Sequence, residues 1–218
     1  MSSVVLGFLI TTTIVSGCSS NDETSTESTS TSLAPSTTVA ETTTTSTTTT
    51  TTTTTTTIYA GPPTLAPGES PPVPEAIPPE DFVEPEVIIG QLVIPSLLQS
   101  QTIYKGATLP TFDKGVGYWP GTAMPGHVGN VVLGGHRVSK TKPFRNIDLL
   151  VPGHEIYLTT DEGTFVYAVS GTQIVEPTDT WILNQGETAT LTLFACHPLH
   201  STKQRIVVFA DYLRKEVT

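Results

Sequence analysis

Three side chains in this sequence carry chemistry that fits together: a thiol, an imidazole and a guanidinium. Cys196 closes the apolar run Leu191 to Ala195, and Arg205 follows nine residues later, at the start of a second apolar run, Ile206 to Ala210. Upstream, His136 follows the run Asn130 to Leu133 through a Gly134-Gly135 step. A thiolate is a strong nucleophile, but a free cysteine with a pKa of about 8.5 is only slightly ionised at neutral pH and needs a cation or base beside it. An imidazole can hand a proton over and take one back. A guanidinium is always charged and can stabilise an oxyanion in a site shielded from water. Together these are the parts needed for acyl transfer through a thioester.

Each residue also has a plainer reading. A lone cysteine is often a buried apolar filler, a histidine at a strand end can simply bond to backbone, and an arginine at a strand edge can be solvated. Arg137 and Arg145 compete with Arg205 as the working cation and are expected to be surface charges. Among the other histidines, His127 falls in a loop, His154 opens a strand, and His197 and His200 follow the thiol, with His197 expected to shape that loop.

The segments that must position these groups read as β. Residues 87–94, 130–133, 155–159, 164–175, 189–194 and 206–212 are rich in Val, Ile, Thr and aromatics and are bounded by Gly, Pro, Asn and Asp. Asp161-Glu162-Gly163 reads as a hairpin turn. The stretch 115–129 is full of Gly and Pro and is expected to be loop, and 143–150 to form one or two helical turns between Pro143 and Pro152. Short strands with this punctuation predict an all-β domain, a small closed barrel without unpaired edges.

The 218 residues are not uniform. From Ser19 to about Thr57 the chain is Ser/Thr-rich, and from Ala60 to Pro85 it is Pro- and Glu-rich. Neither stretch has the apolar content that offsets chain entropy, so 19–86 is expected to be a disordered tether and 87–218 the folded domain. The net charge of −10 argues against nucleic acid, which needs a basic face. No phosphate-binding loop and no metal-ligand spacing appears, so no cofactor or metal is expected.

The apolar stretch Val4 to Val15 is short for a membrane-spanning helix and suits a signal-peptide core. It ends in Val15-Ser16-Gly17-Cys18, similar to a bacterial lipobox, in which Cys18 would be lipidated. A short membrane anchor with an incidental cysteine is the other reading of residues 1–18. Either one puts the folded domain outside the cytoplasmic membrane, anchored to it through the N-terminus and reaching toward the cell wall.

Taken in order, several pieces of the chain resemble the sortases, the cysteine transpeptidases of Gram-positive cell envelopes. The pieces are residues 88–95 (IIGQLVIP), 119–126 (WPGTAMPG), 129–137 (GNVVLGGHR), 192–196 (TLFAC) and 205–208 (RIVV). His197-Pro198 after the cysteine and the Pro-Gly-Thr-Ala loop are most similar to class E sortases of actinobacteria. The resemblance implies an eight-stranded closed β-barrel with short helices in its connections. It also implies cleavage of a Leu-(Ala/Pro)-x-Thr-Gly sorting signal between Thr and Gly, with Cys196 as nucleophile, His136 as general acid and Arg205 as clamp on substrate and oxyanion. The acyl group would pass from a signal-bearing surface protein to an amine of a peptidoglycan precursor or a pilin.

Two positions depart from the family's common pattern. Ala195 stands where many sortases carry Thr before the nucleophile, which removes a hydroxyl that could touch substrate. Trp119, with Tyr118 beside it, stands where class E members often carry Tyr. Thr122, Tyr118 and Trp119 either line the peptide groove or cover the core. Two rivals to a transpeptidase stand beside it: a thiol peptidase that hydrolyses the same signal, and a catalytically idle lipoprotein that binds wall peptides.

Overall fold

The computed structural model describes residues 61–216. The expected signal segment, Cys18 and the tether up to residue 60 lie outside the described residues. Eight strands follow one another: β1 (Ile88–Ile94), β2 (Gln99–Lys105), β3 (Val116–Tyr118), β4 (Gly129–Gly134), β5 (Glu155–Thr160), β6 (Gly163–Val175), β7 (Ala189–His197) and β8 (Gln204–Lys215). A short helix, α1 (Leu109–Lys114), joins β2 to β3, and single 3-10 turns occur at Pro95–Leu97, Ile147–Leu149 and Thr180–Leu183. The strands close into a barrel in the order β1-β2-β3-β4-β7-β8-β6-β5.

Alternation along the strands explains the closure. On β7, Leu191, Leu193 and Ala195 point into the core, as do Ile206, Val208 and Ala210 on β8. Their neighbours Phe194 and Val207 belong to a smaller apolar cluster with Val175 and Ile182. Adjacent residues of a strand face opposite sides, so the even positions of β7 and the odd positions of β8 share the outer face. Asn130 of β4 pins the β6–β7 loop to this face. Its Nδ2 donates to Ile182 O at 2.9 Å, and its Oδ1 accepts from Thr192 Oγ1 at 2.9 Å.

Two strands were not expected from sequence. β2 is polar (QSQTIYK), with Ile103 its one buried residue, and is held by its pairing to β1. β3 lies inside the Gly/Pro-rich stretch expected to be loop. Its three residues are all buried, in parallel pairing with β2 and antiparallel pairing with β4. Small glycines there allow close packing: a Cβ on Gly117 would lie 2.5 Å from Gly106 O. The helical turns expected over 143–150 shrink to the 3-10 turn at Ile147–Leu149.

Residues 61–86 contain neither helix nor strand, yet their C-terminal half is bonded to the barrel. Glu75 N donates to Pro120 O at 2.9 Å, and Leu109 N donates to Glu80 O at 2.9 Å. The Glu84 carboxylate accepts from Thr108 Oγ1 at 2.8 Å and Thr111 Oγ1 at 2.7 Å, at the start of α1. This bonded segment forms a strap over the barrel, and Gly121, at φ +76, lies close beneath it: a Cβ there would sit 2.4 Å from Val73 O.

Candidate active site

Strand register brings the thiol and the guanidinium together. β7 and β8 are antiparallel with Cys196 directly opposite Arg205, and directly opposed residues present their side chains on one face. His136 arrives by a different route. β4 runs parallel to β7, and the pairing ends at Gly134 opposite Phe194. One more backbone bond, Gly135 N to Phe194 O at 3.2 Å, extends it. His136 and Cys196 therefore lie equally far, two residues, beyond this last matched pair.

All three side chains line one cavity of about 640 Å³, walled on its apolar side by Phe112, Trp119 and Phe194. The rings meet edge to face: Trp119 with Phe194 at 6.2 Å between centroids, Phe194 with Phe112 at 6.2 Å, and Phe112 with His136 at 6.0 Å. Gly134 makes room for them, because a Cβ there would fall 2.5 Å from Phe194 Cζ and 2.7 Å from Phe112 Cζ. The strap reaches the same cavity through Ile77 and Glu80, and the β6–β7 loop reaches it through Pro177.

His136 is mostly buried, and its Nε2 lies 3.0 Å from Asp113 Oδ1. A carboxylate oxygen only accepts, so the facing nitrogen, Nε2, carries the proton in this bond. Asp113 belongs to α1 and was not singled out from sequence. The available signal was Phe112-Asp113 in a short segment ahead of a glycine, which supplies both the ring and the carboxylate that flank the imidazole. Lys140 Nζ lies 3.8 Å from the other oxygen of Asp113.

Cys196 is a partly exposed free thiol. Arg205 Nη1 donates to Thr202 O at 2.9 Å and to Gln204 O at 3.0 Å. The loop thus holds the guanidinium through backbone carbonyls. No acidic partner of Arg205 is found among the described residues.

The remaining sequence candidates fall in different places. Trp119 lines the cavity, and its Nε1 donates to Glu75 O of the strap at 3.0 Å. Tyr118 is buried in the barrel core and donates to Thr122 O, and burial pushes its phenol pKa up. Thr122 is buried too, with Oγ1 donating to Trp119 O at 2.8 Å. These two bonds shape the loop that carries Trp119. The Ala195 side chain packs in the core, although the residue borders the cavity. Arg137, expected at the surface, is instead 2% exposed and paired with Asp148 Oδ1 at 2.7 Å. Arg145 is exposed as expected.

A closed barrel with a thiol, an imidazole and a guanidinium at one cavity defines a cysteine acyl-transfer class. Residues 92–213 match the Sortase domain family, and the chain belongs to the sortases, a family of cysteine transpeptidases. It is 34% identical to Sortase D of Bacillus subtilis over 110 residues, 50% of this chain and 54% of that protein. It is 31% identical to Sortase SrtE1 of Streptomyces coelicolor over 104 residues, 43% of this chain and 30% of that protein. Among solved structures, the Sortase D5 transpeptidase of Clostridium perfringens superposes with a TM-score of 0.54 at 34% identity, covering 58% of this chain and 79% of that one. The chain spans about half the length of Sortase D and less than a third of Sortase SrtE1.

Proposed function

We propose that this protein is a cell-surface sortase that cleaves a Leu-(Ala/Pro)-x-Thr-Gly signal between Thr and Gly and transfers the new acyl end to an amine. The observation that carries the reading is the convergence of Cys196, His136 and Arg205 on one cavity. In the first half-reaction the Cys196 thiol gives its proton to His136, Sγ attacks the threonine carbonyl carbon, and the oxygen takes the negative charge beside the Arg205 guanidinium. The C–N bond then breaks, and His136 gives a proton to the departing glycine amine. In the second half-reaction an amine of a peptidoglycan precursor or a pilin attacks the thioester. His136 takes its proton, a new amide forms and Sγ leaves.

The same reading assigns residues 1–18 to export and membrane attachment, with Cys18 as the lipidated residue. The segment ahead of the strap is then the spacer that carries the barrel toward the wall, and the partners are surface proteins bearing the signal. Mass analysis of the mature N-terminus tests the lipidation.

The catalytic test incubates the purified protein with Leu-Ala-x-Thr-Gly and Leu-Pro-x-Thr-Gly peptides, with and without an added amine. We expect cleavage after Thr, amine-dependent transfer product, and no turnover by Cys196→Ala. Equal turnover by Cys196→Ala removes the nucleophile. Cleavage that yields only the free acid at any amine concentration converts the enzyme to a peptidase.

A further inference from the structure

The residues that immediately follow His136 and Cys196 are joined to each other: Arg137 Nη1 lies 3.3 Å from His197 Nδ1. We infer that this pair is a brace that fixes the separation of the imidazole and the thiol, making Arg137 and His197 positioning residues. The inference rests on the transpeptidase reading above.

The backbone ties between these two strand ends stop short of the reacting groups. The β4–β7 ladder ends at Gly134 and Phe194, and Gly135 N to Phe194 O is the next bond outward. His136 and Cys196 lie past that point. The bond between Arg137 and His197 continues the connection where the ladder has ended, one residue beyond each reacting group. On β7 the backbone is extended through His197, so His197 lies on the side opposite Cys196. His197 therefore stays off the thiol's own face, while Arg137 borders the cavity that Cys196 lines.

Arginine has no acceptor, so His197 Nδ1 must accept. The bond forms with a neutral imidazole protonated at Nε2. The guanidinium is held firmly enough to serve as an anchor. It is 2% exposed, and its Nη2 donates to Asp148 Oδ1 at 2.7 Å and to Arg145 O at 3.4 Å. Its Nε is buried without a partner. Burying a charged group in this way is costly unless it is well bonded. Keeping one here fits a part that must define a geometry rather than fill space.

The test compares His197→Leu, which removes the acceptor, with His197→Asn, whose Oδ1 can take the place of Nδ1. Two measurements are made on each folded variant: kcat and KM on the sorting peptide, and the rate of Cys196 alkylation by iodoacetamide. His197→Leu is expected to lower kcat by about tenfold with KM unchanged and to change the alkylation rate, because small misplacements of reacting groups cost rate. His197→Asn is expected to restore both. Arg137→Gln combined with His197→Leu is expected to be no worse than the more impaired single variant, as a shared interaction requires. Wild-type kcat and wild-type alkylation in His197→Leu overturn the brace, as do single-variant effects that multiply in the double. The His197 comparison stands if Arg137→Gln fails to fold. The alkylation arm needs no substrate, so it decides the brace even if wild-type enzyme turns over neither peptide, a result that would count against the functional reading alone.

Discussion

Cys196 and Arg205 face each other across β7 and β8, in the same antiparallel ladder that sets Ala195 against Ile206. The guanidinium is held by the carbonyls of Thr202 and Gln204. A lysine could supply charge at this place, but not the planar fork held in one orientation. On the proposed mechanism Arg205→Lys should lower kcat by about a hundredfold, the usual consequence of losing an oxyanion donor. KM should move less and thermal stability little, since the lost bonds are at a partly exposed loop. Steady-state kinetics on the sorting peptide and a melting curve check both.

Asp113 holds His136 by its Nε2 at 3.0 Å. Removing the carboxylate in Asp113→Ala frees the ring to rotate, and we expect kcat to fall by about tenfold. Asp113→Asn keeps an acceptor oxygen toward Nε2 and should recover most of that loss. Equal impairment by both variants would mean that charge rather than orientation is the contribution of Asp113.

Gly134 lies where the rings of Phe194 and Phe112 leave no room for a Cβ. Gly134→Ala should push those rings aside and distort the cavity wall they form with Trp119. Overpacking of this kind costs about 1–3 kcal/mol of stability. We also expect kcat/KM to fall at temperatures where the variant is fully folded, measured by chemical denaturation alongside peptide turnover.

The reach of the sequence follows from what each signal depends on. The β-rich runs that became β1 and β4–β8 are apolar and punctuated, and local pattern suffices for them. β2 and β3 are not legible that way. β2 is polar apart from Ile103, and β3 is three residues long among glycines, so both exist because neighbouring strands supply their pairing. At the site, Cys196, His136 and Arg205 were visible because each closes or opens an apolar run. Asp113 was not, because nothing in its own segment says that α1 lies against His136. The burial of Arg137 likewise depends on Asp148, which comes from a separate turn. The contacts of residues 72–86 were hidden by composition, since Pro- and Glu-rich sequence gives no periodicity to read.

The Glu155 carboxyl on β5 accepts from Arg214 on β8, reaching across β6, and from the Tyr157 hydroxyl. The Arg214 hydrogen bonds, followed by that of Tyr157, hold its pKa down at about 2 instead of 4.5. The folded state thus binds this proton less readily than the unfolded chain does. The stabilisation is fully present above pH 4.5 and is lost as the pH falls toward about 2. Wild-type melting temperature should therefore drop more steeply through that window than that of Glu155→Gln, as read from thermal unfolding at a series of acid pH values.

Glu84 ties the strap to α1 through Thr108 and Thr111, and α1 carries Asp113. Glu84→Ala should remove about 1–3 kcal/mol of stability by leaving those groups without their charged partner. It should also lower kcat, because α1 then holds Asp113 less firmly. A variant that loses stability but retains wild-type kcat would uncouple the strap from His136.

The strap has a mechanical consequence. Its contacts run from Trp119 and Pro120 at Glu75, through Ile77 at the cavity, to Leu109 and α1 at Glu80 and Glu84. Tension drawn along the polypeptide from its N-terminal side meets these few bonds before it reaches the barrel ladders. Because those bonds hold Trp119 and α1, a sustained tug is expected to disturb the wall of the reaction chamber, and with it turnover, before it unfolds the domain.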